Sequence, residues 1–347
     1  MIPCIYDSIT YIKQGVYAVR IPSMAARVSI PMGLLNYGMT CFASAVLQCL
    51  LHAPGLSRRL EARIDASDPT YTPDALDTLL LTAYSEQRAH SPASLLGGRL
   101  AELAFGGRAD EMDQGDTDEL LLKCLEQSEK NHGRTAQHFT ATFFCRDTCS
   151  ACRWELPGSY MKFESFRIEC DWDTDTCASS ISELMYANIG RHYVETSPPT
   201  HTCMAAQHTH TPMAKPGVLT SRYFAGALPE CLALFMQRFK YREVYGRYEG
   251  YIDDRSFDVC KRIELWELNV DAQSSPHKRV YTLYGLIKFR GRDNNGHYIS
   301  YISSSGTWYR MDDTYVRAVD ESDVFAHNPH EIVTYAFYHK EQTPEHE

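Results

Sequence analysis

No stretch of the chain is long and apolar enough to read as a membrane span, and no charged leader followed by an apolar run opens it. Neither a membrane partner nor a signal peptide is therefore expected. Positive charge is also short: 34 basic residues stand against 44 acidic ones, a net charge of −10. Nucleic-acid binding finds no support in that balance, which favours a partner with basic features. There is no internal repeat and no long low-complexity tract. The 12 cysteines lack compact disulfide-like spacing. Scattered cysteines of this kind read as thiols, metal ligands or nucleophiles in a reducing compartment, cytoplasm or nucleus. A second C-x-x-C is missing as well. Cys149-Ser150-Ala151-Cys152 makes one knuckle, but Ala206 stands where Cys203 needs its partner.

What is present begins with size. At 347 residues and 44% hydrophobic content, a large core in one domain or two is available. The most informative stretch runs from Gly33 through Asn36, Gly38 and Cys41 to Gln48. It opens as a glycine-containing loop and continues as a helix, with Phe42, Val46, Leu47, Leu50 and Leu51 at helical spacing on one face. Pro54 and Gly55 end it. Cys41 thus sits at a helix N-terminus, where unpaired N–H groups and the helix dipole favour a thiolate. Asn36, upstream of a glycine turn, can fold its amide back toward the thiol and donate to a developing oxyanion. The plain alternative is a cysteine packed in a core helix.

Further along, Thr72-Pro73-Asp74 predicts a helix start with proline at its first position, and Leu76, Leu79, Leu80 and Ala83 its apolar face. A second helix is expected over 95–105, ended by Gly106-Gly107 and weakened by Gly97 and Gly98. Gln114-Gly115-Asp116-Thr117-Asp118-Glu119 leads into an apolar helix. Its acidic residues suit a helix N-terminus, or else form an edge for a partner's arginines. From Phe139 the pattern turns strand-like. A helix is expected over 180–189, closed by Gly190, and residues 195–217 read as an irregular loop rich in Pro, Thr and His. Cys149, Cys152, Cys203 and His208 could form a tetrahedral zinc site, against the alternative of a metal-free hairpin. Strands are expected around 228–239, 263–268, 281–289, 296–302, 308–313 and 334–338.

A cysteine protease needs a thiolate, an imidazole and a group that orients the imidazole. Cys41 opens a helix, His297 opens a strand behind Gly296, and Asp312 lies on the strand expected to pair with that one. Gly296 would allow close approach of a substrate backbone. Taken singly, each has an ordinary structural explanation; together they point to cysteine-protease chemistry.

The same segments resemble the ubiquitin-specific proteases, the papain-like deubiquitinases. Residues 33–48 are similar to their cysteine box, 281–302 to their histidine box, and Trp308-Tyr309-Arg310-Met311-Asp312-Asp313 to the segment carrying their acidic residue. Residues 114–120, 229–239 and 335–338 resemble their acidic helix start, palm strand and closing strand. The resemblance implies an α+β hand: an N-terminal arm at 1–30, one catalytic domain over 31–340, and a tail at 341–347. Within the domain it implies a helical thumb (31–135), β-fingers (136–225) and a β-rich palm (226–340). It implies Cys41 as nucleophile, His297 as general base and acid, Asp312 as orienting carboxylate with Asp313 assisting, and Asn36 as oxyanion donor. Asp116 and Glu119 would grip the arginines of ubiquitin's tail, with Gly296 and Tyr298 lining the substrate channel. The implied partners are ubiquitin and ubiquitinated proteins, acted on by a monomer without a catalytic cofactor. Met39, Ser44 and Ala45 depart from the family pattern, as does the incomplete second knuckle. Two rival readings follow: a ubiquitin-binding scaffold without turnover, and a zinc-structured interaction or redox protein.

Overall fold

A computed structural model of the protein describes residues 31–65, 73–89, 95–149, 161–170, 178–189, 193–194, 219–267, 277–292, 295–328 and 330–342. The helical part comes first. It holds α1 (Cys41–Leu51), α2 (Leu56–Asp65), α3 (Ala75–Arg88), α4 (Leu96–Phe105), α5 (Thr117–Lys130) and α6 (Arg134–Phe139). Strands then dominate: β1 (Ala141–Cys149), β2 (Met161–Ser165) and β3 (Ile168–Cys170), followed by α7 (Ile181–Ile189), β4 (Tyr193–Val194) and β5 (Leu219–Ala225). Next come β6 (Cys231–Met236), β7 (Phe239–Val244), β8 (Arg247–Ile252), β9 (Arg262–Glu267), β10 (His277–Arg292), β11 (Asn295–Ser304), β12 (Thr307–Asp312) and β13 (Tyr315–Val319). A short α8 (Glu321–Phe325) and β14 (Ile332–Lys340) complete the described part.

The large sheet runs β13-β12-β11-β10-β14-β6-β3, with β9 beside β10. A smaller sheet runs β2-β1-β5-β4, and β7 and β8 form a separate hairpin. Strand β6 shows why the large sheet needs cover on both sides. All six of its residues are buried. Cys231, Ala233 and Phe235 join the core shared with the helices, while Leu232, Leu234 and Met236 join a second core that contains α7. A strand with period-2 side chains and two apolar faces must be buried on both. Residues 168–170, expected in the fingers, pair instead in parallel with β6 in this large sheet.

Helix α1 is the hub. The sequence predicted one apolar face, but every residue from Cys41 to Leu51 is buried, Ser44 and Gln48 included. The helix is enclosed between β10 and β11 on one side and α3, α4 and α5 on the other. A helix covered all round has no solvent side for polar residues. Gln48 therefore uses its amide internally, donating to the Met32 carbonyl at 2.7 Å.

Two helix details differ from expectation. Asp74, not Pro73, opens α3: its carboxylate accepts from the Asp77 N–H at 2.6 Å, which leaves Pro73 outside the helix. Gly97 costs α4 helix propensity but allows it to form where it does. A Cβ on Gly97 would overlap the Ser44 hydroxyl and lie 3.1 Å from Ser44 Cα. Tight packing of α4 on α1 outweighs the helix propensity lost to glycine. Gly106, with φ of 70°, ends α4 as expected. Gly190, the expected stop of the helix at 181–189, lies outside the described residues, as do the arm at 1–30 and all of 195–217.

Candidate active site

The loop before α1 is shaped by its own polar groups. Asn36 Oδ1 accepts from the Thr40 N–H at 3.0 Å, and the Tyr37 N–H donates to Thr40 Oγ1 at 3.0 Å. Gly38 takes φ of 74°, as the turn requires. The loop is also tied to the turn after β12. The Leu34 N–H donates to the Asp313 carbonyl at 2.9 Å. Gly33 passes so close that a Cβ there would lie 2.5 Å from the Thr314 carbonyl oxygen. These contacts set Cys41, 4% exposed, at the first turn of α1 and against β11.

The β11–β12 hairpin supplies the other groups. Ser300 pairs with Met311, so His297 and Asp312 fall near one another across the strands. His297 Nε2 lies 2.6 Å from Asp312 Oδ1 and 3.9 Å from Asp313 Oδ2. The other ring nitrogen, Nδ1, is then the one available to Cys41. His297's pKa is pushed up to about 9: its hydrogen bond with Cys41 raises it most, burial opposes, and the Asp312 contact adds to the rise. Burial pushes the Asp312 carboxyl up, but hydrogen bonds from His297 and Arg310 outweigh it and hold the group below its ordinary value. Asp313, with φ of 53°, goes the other way, pushed up chiefly by burial. Cysteine, imidazole and carboxylate thus stand in series, in the order proton transfer to and from sulfur requires.

Asn36 is placed differently from the simplest expectation. Its Nδ2 donates to Asp313 Oδ2 at 3.0 Å, so one N–H of the expected oxyanion donor is held by the assisting carboxylate. Gln114, to which the sequence pattern assigns no role, reaches further into the site. Its Nε2 lies 3.9 Å from Cys41 Sγ and donates to the Gly296 carbonyl at 2.7 Å. Its Oε1 accepts from the Gly296 N–H at 3.2 Å. Gly115 permits this, because a Cβ there would press into the Phe42 ring at 2.6 Å. The available signal was a Gln-Gly pair ahead of a helix start; its contact with α1 is long-range and invisible in the sequence.

The four expected substrate contacts fare unevenly. Asp116 is the N-cap of α5, accepting from the Asp118 and Glu119 N–H groups, which is the plain capping role. Burial pushes its carboxyl up. Glu119 is exposed and pairs with Lys123 at 2.8 Å. The space a side chain would need at Gly296 is filled by the Phe289 ring and the Arg290 carbonyl oxygen, 2.8 Å away. Its lack of a side chain therefore has a reason within the hairpin itself, apart from any substrate. Tyr298 is 4% exposed and packs on Phe289 with ring centroids 5.0 Å apart, within the core that also holds Cys41. The partner arginine expected at the acidic edge has an internal counterpart. Arg167 pairs with Asp118 at 2.5 Å, and the Tyr335 hydroxyl bonds the same carboxylate.

Cys149 ends β1 with its side chain undescribed, and Cys152, Cys203 and His208 lie outside the described residues. Among the described residues, the one group of potential metal ligands is His297, Asp312 and Asp313, with atoms within 4.8 Å of one another. These are the groups already engaged with Cys41, Arg310 and Asn36.

Comparison with known proteins now decides the family. The family model described as ubiquitin carboxyl-terminal hydrolase matches residues 32–338. The chain belongs to the ubiquitin carboxyl-terminal hydrolase family. Ubiquitin C-terminal hydrolase 22 of Arabidopsis thaliana is 23% identical over 84% of this chain and 61% of its own length. Ubiquitin carboxyl-terminal hydrolase 12 of Salmo salar is 24% identical over 83% of this chain and 82% of its own. The chain thus spans about three fifths of the Arabidopsis hydrolase. Among solved structures, a SAGA DUB module of Ubp8, Sgf11, Sus1 and Sgf73 bound to monoubiquitin matches with a TM-score of 0.70. The match has 18% identity and covers 94% of this chain and 72% of that one. At that identity the match speaks for the fold, and the fold is the α+β hand of this hydrolase family.

Proposed function

We propose that this chain is a deubiquitinating cysteine protease, hydrolysing the isopeptide or peptide bond after the C-terminal Gly-Gly of ubiquitin. The observation that carries the reading is the series Cys41, His297 and Asp312, with the imidazole 2.6 Å from the carboxylate and its pKa raised by the sulfur beside it. In the first half-reaction the Cys41 thiol passes its proton to His297, and the sulfur adds to the scissile carbonyl carbon. The resulting oxyanion is held by the Asn36 amide and the N–H groups at the start of α1. His297 protonates the leaving amine, the C–N bond breaks and a thioester remains. His297 then takes a proton from water, which attacks the thioester and restores the thiol. Asp312 keeps the imidazole oriented throughout. No metal enters these steps; a structural zinc in the finger region is compatible with them. Ubiquitin's basic tail suits the acid-rich chain.

A second reading, a ubiquitin-binding scaffold without turnover, draws on two observations: the Asn36 amide donating to Asp313, and Gln114 bridging to Gly296 beside a Cys41 that is 4% exposed. The deciding experiment is reaction with ubiquitin carrying a C-terminal electrophile, read by intact mass. One adduct on the wild type and none on Cys41→Ala supports the protease. Binding without adduct or cleavage replaces it with the scaffold.

A further inference from the structure

Strand β12 presents Arg310 and Asp312 two residues apart, hence on one face. Asp312 turns Oδ1 to His297, and its other oxygen, Oδ2, accepts from Arg310 Nη1 at 2.8 Å. The guanidinium is held from behind. Arg310 Nη2 lies 3.4 Å from Glu331 Oε1, and Glu331 Oε2 accepts from the Tyr301 hydroxyl at 2.9 Å. The Lys288 ammonium sits 4.7 Å above the Tyr301 ring and donates to the Val324 carbonyl at 2.9 Å. The Arg310 and Glu331 side chains are only 10% and 9% exposed. This polar chain runs from the foot of a surface cleft of about 440 Å³, lined by Lys288, Arg310, Arg317, Asp323 and Glu331, to the carboxylate behind His297.

A carboxylate bonded at one oxygen alone can swing about its last torsion. Asp312 is held at both oxygens, Oδ1 by His297 and Oδ2 by Arg310 Nη1, and the planar guanidinium reaches Asp312 and Glu331 at once, as a lysine ammonium does not. We propose that Arg310 is a positioning residue for the reaction, acting through Asp312. It locks the carboxylate so that Oδ1 stays aimed at His297, with Glu331 and Tyr301 holding the guanidinium in place. The inference rests on the protease reading above.

The test uses the full chain, ubiquitin with a fluorogenic C-terminal amide, and Arg310→Ala and Arg310→Lys in wild-type and Asp312→Ala backgrounds. Loss of alignment lowers kcat on the order of 10²-fold with little change in KM. Arg310→Lys recovers a part of that loss. In the Asp312→Ala background, Arg310→Ala costs less than about twofold more, because the residue it acts through is gone. A second readout needs no turnover: the proton NMR resonance of the His297 N–H bonded to Asp312. That signal is present in the wild type, retained in Arg310→Lys and lost in Arg310→Ala. If Arg310→Ala leaves kcat unchanged, acts on KM alone, costs the same in both backgrounds or keeps the resonance, the proposal is overturned. A wild type that neither hydrolyses nor labels refutes the protease reading instead, and the resonance still decides the role of Arg310. Should Arg310→Ala fail to fold, Arg310→Gln takes its place in both readouts.

Discussion

The sharpest consequence of the site's electrostatics concerns which neighbour sets the basicity of His297. Its pKa rises from 6.5 to about 9, with the Cys41 hydrogen bond the largest cause and the Asp312 bond a smaller one. That rise corresponds to roughly 3 kcal/mol in favour of the imidazolium. NMR titration of the His297 ring should give a value near 9 in the wild type. Cys41→Ala should bring it down by more than Asp312→Asn does, because the first removes the larger cause. The sign extends to stability. The folded-state value lies above the unfolded one, so the contribution is fully present below about pH 6.5 and lost as pH rises through about 9. Across that window the wild type should lose unfolding free energy faster than Cys41→Ala, as read by urea titration at each pH. A wild-type ring titrating near 6.5, or a larger drop in Asp312→Asn than in Cys41→Ala, refutes the reasoning.

Two further predictions concern the scaffold. Gly97→Ala should destabilise by roughly 1–2 kcal/mol in chemical denaturation, since overpacking against Ser44 exceeds the helix propensity gained. Gly98→Ala meets only the Ala109 methyl at 3.1 Å and should come close to neutral. Asp77→Ala should cost about 2–4 kcal/mol, visible as a lower Tm. The fully buried carboxylate accepts from the Arg134 and Thr135 N–H groups and the Thr135 hydroxyl, fixing the start of α6.

Cys41 and His297 were legible because each is marked locally, by a helix start after a glycine turn and by a strand start after a glycine. Asp312 was legible one step further, because consecutive antiparallel strands with a short turn must pair. Gln114 was not, since its place depends on Gly115 resting on Phe42, 73 positions away. Nor was the engagement of Asn36, whose amide meets a carboxylate 277 residues further along the chain. Gly97 misled in the usual direction: propensity counts the cost of glycine in a helix but not the close approach it permits.

The sequence by itself determined the element types, the α+β class and the residues able to do thiol chemistry, because helix and strand periods, caps and turn residues act over a few positions. The tertiary structure alone decided which polar groups face one another. It made α1 a fully enclosed helix and Tyr298 a core residue, gave Asp116 to a cap and Asp118 to Arg167, and set Arg310 behind Asp312. Those outcomes depend on contacts between strands and helices far apart in sequence, where burial and hydrogen-bond satisfaction leave each polar group few partners to choose from.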